Sequence, residues 1–203
     1  MDVELRKLVT YWIERVVTDC ARSALVFDTE CSALNGHVIQ LGWVWVNSDG
    51  EEAHAESRLM RLPENVGIDP RAEAVHGITA DVLAGHGEDP RLAMEAFATE
   101  LRKARACGAS VVAHNARFDC NRVAFTSSYW GVTVPLAVED VVCTMRRAQM
   151  EFRGPSGRRK APRNEELYHA LCNESPTLRA HDALNDARIT AVSYLRGAER
   201  GWW

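Results

Sequence analysis

The sequence predicts an α/β protein: a mixed sheet with helices on its faces. Two observations predict it. Three strand-like segments follow one another early in the chain, separated by turn-forming residues, and from Asp89 onward helical stretches alternate with short apolar runs. A chain of 203 residues, 46% hydrophobic and 26% charged, has the size and balance of one globular domain with a substantial core.

The elements read in order as follows. Leu5, Leu8, Val9, Trp12, Ile13, Val16, Val17 and Cys20 recur at helical spacing, so residues 2 to about 22 form an amphipathic helix. Its apolar stripe packs on the domain's own core or serves a protein partner or homodimer. A first strand covers residues 24–28 and a second runs from Val38 to Val46. Asn47-Ser48-Asp49-Gly50 is a turn, and Ala53 to Leu62 is a third strand. Residues 63–70 read as a loop. Asp89-Pro90 is an N-cap followed by a first-turn proline, opening a helix that stops near Gly108. Ser110 to Ala113 is a short buried strand, 118–126 is helical, and Val138 to Val142 is a further strand followed by a helix through Met150. Residues 153–163 form a basic loop, and two helices follow at about 164–172 and 182–197.

A formal net charge of −4 excludes a generally basic nucleic-acid coat, so any nucleic-acid contact must come from local basic patches. The six cysteines form no C-x-x-C pair, which argues against a zinc site and for mostly reduced, buried thiols. No segment has the length of a membrane span, and the N-terminus lacks the apolar core of a signal peptide. An intracellular protein, cytoplasmic or nuclear, is expected.

Chemistry concentrates at the ends of apolar runs. Asp28-Thr29-Glu30 closes Ala24-Leu25-Val26-Phe27, placing two acids on one face of a strand end. Neighbouring carboxylates repel unless they share a proton or a divalent metal. D-x-E alone is common, and surface acids at a strand end are the competing reading. Two further segments add to it. His114-Asn115-Ala116-Arg117-Phe118-Asp119 sets an acid beyond a buried strand, and His181-Asp182-Ala183-Leu184-Asn185-Asp186 sets a histidine before a helix and an acid in its first turns. Val75-His76-Gly77-Ile78-Thr79 is an unusual mix in a loop region.

Phe27-Asp28-Thr29-Glu30, His114-Asn115-x-x-Phe118-Asp119 and His181-x-Ala183-x-x-Asp186 resemble, in order, the three motifs of the DEDDh (DnaQ-like) 3′–5′ exonucleases, with Val75–Thr79 as a fourth matching segment. The resemblance covers residues 24–195, giving an exonuclease domain over 24–203 preceded by the helical segment 1–23. It implies a ribonuclease H-like fold with a five-stranded mixed sheet flanked by helices. It further implies that Asp28, Glu30, Asp119 and Asp186 hold two Mg²⁺ (or Mn²⁺) ions, with His181 as general base. Thr29, Leu34, His76, Ile78 and Asn115 match substrate-side positions. Arg158, Arg159 and Lys160 are phosphate-contact candidates, against the alternative of a solvated loop. The chain departs from the family at Cys31-Ser32-Ala33, which lacks the usual glycine, and at Cys143-Thr144, where an Asp-Thr pair is common.

The expected activity is metal-dependent hydrolysis at the 3′ end of single-stranded nucleic acid, DNA favoured, releasing 5′-mononucleotides. The alternatives are an RNA-directed exonuclease and an adaptor or trimming subunit of a larger nucleic-acid-processing complex.

Overall fold

A computed structural model describes residues 23–203; the amphipathic helix expected over residues 2–22 lies outside the described residues. Five strands form one mixed sheet: β1 (Ala24–Cys31), β2 (Val38–Val46), β3 (Glu52–Leu59), β4 (Ser110–Ala113) and β5 (Val141–Cys143), in the order β3-β2-β1-β4-β5. β1, β2 and β3 pair antiparallel, while β4 runs parallel to both β1 and β5. The helices are α1 (Pro70–His76), α2 (Ala80–His86), α3 (Pro90–Cys107), α4 (Ala116–Tyr129), α5 (Thr144–Ala148), α6 (Asn164–Cys172) and α7 (Ala183–Glu199).

The central strand reads as continuously apolar because both of its faces are covered. Leu25 and Phe27 join Trp43 and, from α3, Met94, Phe97 and Leu101. Ala24 and Val26 point the other way, onto Val44, Val112 and the α7 residues Ala187 and Ala191. This two-residue alternation continues into the acids. Asp28 and Glu30 therefore share the α7 side of β1, and Thr29 faces the α3/α4 side.

Several elements differ from the sequence expectation. Residues 70–86 contain α1 and α2 where only a loop with an unusual motif was read. Each helix has only 7 residues, too short for an apolar stripe, and each is held by its cap. The Asp69 side chain accepts from the Arg71 backbone N–H, the Thr79 hydroxyl accepts from that of Val82, and Gly77 closes α1 at φ 73°. β3 stops at Leu59 because Met60 bridges to Glu88 instead. Val138–Asp140 is a 3₁₀ turn, which shortens the fifth strand to 3 residues. Cys31, Cys120, Cys143 and Cys172 are free thiols as expected, whereas Cys107 is disulfide-bonded.

The start of α7 is pressed against β2. A Cβ on Gly42 would lie 2.3 Å from Leu184 N and 2.4 Å from Ala183 C, backbone atoms that cannot swing aside. Gly42 pairs with Asp28 across the sheet, so this close approach delivers the first turn of α7 to the acids of β1. Gln40 fastens the same junction. Its Oε1 accepts from the Ala183 N–H at 3.1 Å, and its Nε2 donates to Asp182 Oδ2 at 2.9 Å and to Ser57 Oγ at 3.1 Å. Gly42→Ala is expected to lower unfolding free energy by roughly 1–3 kcal/mol through overpacking. It should also weaken any metal-induced stabilisation, because α7 must retreat. Urea denaturation with and without divalent metal checks both effects.

Candidate active site

Three elements converge at the carboxyl ends of β1 and β4, where β1 has an antiparallel neighbour on one side and a parallel one on the other. Such ends are where open α/β sheets place ligand sites. β1 supplies Asp28 and Glu30. The turn after β4 supplies Asp119 from the first turns of α4, and α7 supplies Asp186. Asn115 opens α4 at φ 56°, a left-handed conformation that asparagine tolerates, so the chain reverses sharply between strand and helix.

Hydrogen bonds set the positions of Asp119 and Asp186. Thr29 donates its hydroxyl to Asp119 Oδ1 at 2.7 Å, tying α4 to β1. The His181 backbone N–H donates to Asp186 Oδ2 at 2.9 Å, and Asn164 Nδ2 donates to the Asp186 carbonyl at 3.0 Å. His181 is exposed and held at φ 60°, and ligand atoms of Glu30, His181 and Asp186 all lie within 4.8 Å of one another. A side chain held in the left-handed region over an acid cluster is the kind of strain that functional sites retain.

The electrostatics are those of buried, mutually repelling acids. Burial, then Asp119, Asp186 and Glu30, push Asp28 well above the usual carboxylate range. Glu30 is pushed up to about 8 by burial and then by Asp186, Asp119 and Asp182. Burial raises Asp119 to about 7 despite the hydrogen bond from Thr29, and burial also raises Asp186. Among the described residues, the ion pairs formed by lysine and arginine involve none of these four acids. Clustered hard oxygens, mutually repelling and unpaired with cations, fit divalent metal ions.

Beside the acids lies a cleft of about 380 Å³, lined by Thr29, Glu30, Leu34, Arg71, Val75, His76 and Phe118 among others. Leu34 is 76% exposed at its rim and so is not a core residue. His76 is buried, its Nδ1 accepts from the Ile78 N–H at 2.9 Å, and burial lowers its pKa. Ile78 is buried with Ile39 and Leu83, in the packing arrangement rather than at the cleft wall. Arg158 and Arg159 are exposed on the basic loop, and Lys160 pairs with Glu166 at 2.7 Å. A larger hollow of about 700 Å³ opens around Trp45, Glu100 and Lys103 at the opposite end of β1, remote from the acid cluster.

Sequence reasoning passed over Phe118, Gln40, Asn164 and Gly42 as contributors to the site. Phe118 was within reach as the aromatic directly before Asp119; the other three act through tertiary contacts without a local signature. The departure at Cys143-Thr144 has a structural role. The buried Thr144 hydroxyl meets His114 Nδ1 at 2.9 Å, and His114 Nε2 meets the Pro162 carbonyl at 3.1 Å. A carbonyl only accepts, so Nε2 carries the proton and Nδ1 accepts from Thr144. Burial holds this imidazole down to about 4, and it pins the end of the basic loop to β4 as a neutral bridge.

The acid cluster at the strand ends is chemically fitted to hold divalent metal ions. The exonuclease family matches residues 25–194 of the chain. A search of curated proteins gives no match. Among solved structures, exonuclease X in complex with 5′-overhanging duplex DNA is 27% identical, with 89% of this chain and 94% of that one covered at a TM-score of 0.60. The nuclease domain of 3′hExo, a DEDDh family member bound to rAMP, is 14% identical, with 89% and 93% covered at a TM-score of 0.70. E. coli exonuclease I in complex with a dA16 oligonucleotide is 16% identical, with 88% and 41% covered at a TM-score of 0.68. The last two show likeness of fold. The chain belongs to the exonuclease family and is a 3′–5′ exonuclease of the DEDDh group.

The raised carboxyl pKa values carry a stability consequence. Each acid binds its proton more tightly folded than unfolded, so its contribution is complete below the unfolded value and is lost as pH rises through the folded value. His114, held down to about 4, acts in the opposite sense only below its unfolded value of about 6.5. Between pH 6.5 and 8, with Glu30 at about 8 and Asp119 at about 7, the metal-free protein is expected to lose on the order of 2 kcal/mol. Thermal unfolding in EDTA and in Mg²⁺ at both pH values checks this. The midpoint should fall with pH in EDTA, and the metal-induced rise should be larger at pH 8.

Proposed function

We propose that this exonuclease removes nucleotides from the 3′ end of single-stranded nucleic acid, DNA in preference to RNA, releasing 5′-mononucleotides. What supports the reading is the convergence of four carboxylates from β1, α4 and α7 beneath one exposed histidine, beside a cleft open to a terminal nucleotide. Asp28, Glu30, Asp119 and Asp186 would hold two Mg²⁺ or Mn²⁺ ions. Bound there, such ions acidify the attacking water, polarise the scissile phosphate and offset charge on the departing oxygen.

The chain's own residues do the rest. His181 accepts the water proton as the oxygen attacks the terminal phosphodiester, a task suited to an imidazole near neutral pH. The bond from phosphorus to the penultimate 3′ oxygen breaks, that oxygen takes a proton from solvent, and the terminal nucleotide leaves as a 5′-monophosphate. Leu34 and Phe118 offer apolar faces to the terminal base, and His76 and Thr29 line the same cleft. Asn115, at the turn into α4, and Ile78, beneath the cleft, support its walls. Arg158, Arg159 and Lys160 lie on the loop whose far end His114 anchors, and would meet phosphates upstream. The 24–203 region acts as the catalytic domain and the 1–23 segment as an appendage open to a protein partner or a second copy. Work on cellular nucleic acid would put the protein in the cytoplasm or nucleus. No described helix is long and apolar enough to cross a membrane.

The test is degradation of 5′-labelled DNA and RNA strands of matched sequence with Mg²⁺, Mn²⁺ or EDTA. A ladder shrinking from the 3′ end only with metal, faster on DNA and absent in Asp28→Ala, is expected. No cleavage of either strand with either metal sinks the reading. His181→Ala should lower kcat by about 10²–10⁴-fold while leaving metal-induced stabilisation in place. Equal loss of both would remove His181 from the role of base.

A further inference from the structure

The exposed face of α4 carries a row of side chains that the catalytic site does not use. Phe118, Arg122, Phe125 and Tyr129 are spaced by four, three and four residues, which sets them on one stripe of a 3.6-residue helix. Asp119, Cys120, Val123, Thr126 and Ser127 form the opposite, buried face. Phe118 lines the cleft beside the acids, so the stripe begins at the site and leads away from it. It runs about 16 Å at 1.5 Å per residue.

The rings along it are assembled rather than scattered. Phe125 is 45% and Tyr129 58% exposed, yet both sit on a common floor. The buried His37 ring lies 4.7 Å from Phe125 and 4.8 Å from Tyr129, centroid to centroid. Tyr129 meets Trp130 edge-on at 5.1 Å. Two cations flank the rings. Arg122 lies 5.4 Å from the centre of Phe125 and donates to the Gly36 carbonyl at 3.4 Å; Arg91 lies 5.0 Å from the centre of Trp130 and also pairs with Asp89 at 3.6 Å. Arg117 adds a second cation on α4, whose one acid, Asp119, is turned inward. In a chain of net charge −4, a surface combining aromatic faces with arginine, and whose nearby acid Asp89 is paired with Arg91, is locally suited to a polyanion with stacking bases.

We infer that Arg122, Phe125 and Tyr129 form a stacking track for the upstream nucleotides of the single strand whose 3′ end occupies the cleft. The inference rests on the functional reading above and extends it from the terminal nucleotide to the next several. The length of the stripe accommodates roughly three to four nucleotides at 3.4 Å or more each. Stacking is indifferent to sequence because every base has a π-face, so the track confers dependence on strand length rather than on sequence.

Initial-rate kinetics in Mg²⁺ with a two-nucleotide and a ten-nucleotide oligodeoxyadenylate test it. The two-nucleotide strand fills the cleft without reaching Phe125. In the double variant Phe125→Leu, Tyr129→Leu, which keeps apolar bulk but removes the rings, KM for the long strand should rise about tenfold. The kcat for the long strand and both constants for the short one should stay unchanged. Phe125→Trp with Tyr129→Phe keeps π-faces and should behave as wild type. An unchanged KM for the long strand in the leucine variant overturns the track and leaves the patch as packing or as a protein-docking surface. An equal rise for both strands overturns it as well, because the disturbance then lies in the cleft. Cleavage of neither strand by the wild type sinks the functional reading and the track with it.

Discussion

Mutual repulsion among buried carboxylates is the constraint around which this domain is arranged. Asp28, Glu30, Asp119 and Asp186 each resist ionisation because of burial, and their neighbours add to it. Left to themselves the three elements carrying them would separate. The rest of the fold prevents this by fixing the elements through close packing and neutral hydrogen-bond donors. Gly42 removes the side chain that would hold α7 away from the sheet, Gln40 ties down the first turn of α7, and the Thr29 hydroxyl ties α4 to β1. Such a site lowers the stability of the metal-free chain in exchange for a preformed cluster of ligands.

The positions of these fasteners follow from sheet topology. β1 is central, with β2 antiparallel on one side and β4 parallel on the other. Its last residues therefore face both the loop after β4 and whatever is packed on β2. α7 lies across β1 and β2 through Ala187 and Ala191, which brings its N-terminal turn over the pair Asp28 and Gly42. His181 is the residue before that turn, and its left-handed backbone directs its own N–H onto Asp186. The His114 bridge works at the next level out. A neutral imidazole between Thr144 and the Pro162 carbonyl joins β4 to the end of the basic loop without adding a charge beside the acids.

Much of this was legible in the chain. β2 and β4 are bounded as their apolar runs indicate, and the helix opened by Asp89-Pro90 ends at Gly108 with φ 75°. The three acid-bearing segments were found from position relative to strand ends and from their likeness to a family. What escaped reading has a common physical cause: it depends on contacts distant in sequence or on elements too short for a period. α1 begins with Asp69-Pro70, the same signal that announced α3, yet with 7 residues it offers no stripe to confirm it. Gly42 and Gln40 look like ordinary strand residues, and their function exists only once α7, some 140 positions later, has docked. Ile78 sits in a motif-like segment but is held by Ile39 and Leu83, so a residue next to a functional loop can belong to the core.

A nuclease faces opposed demands, since a polyanion must approach a cluster of acids. This chain, with a formal net charge of −4, has no general basic surface with which to override the repulsion. The opposition is resolved locally, on a single helix. Phe118 and Asp119 are adjacent in sequence, and one residue of α-helix rotates the side chain by about 100°. That rotation turns Asp119 inward to the sheet and Phe118 outward to the cleft, and repeats of the helix carry Arg122, Phe125 and Tyr129 along the outward side. On the proposed reading, the ligand for the metal and the surface for the strand would be separated by helical phase rather than by distance. Moving the carboxylate back to position 118 would place it on the aromatic stripe and remove it from Thr29, so the Phe-Asp order in the second motif is a geometric requirement of this arrangement.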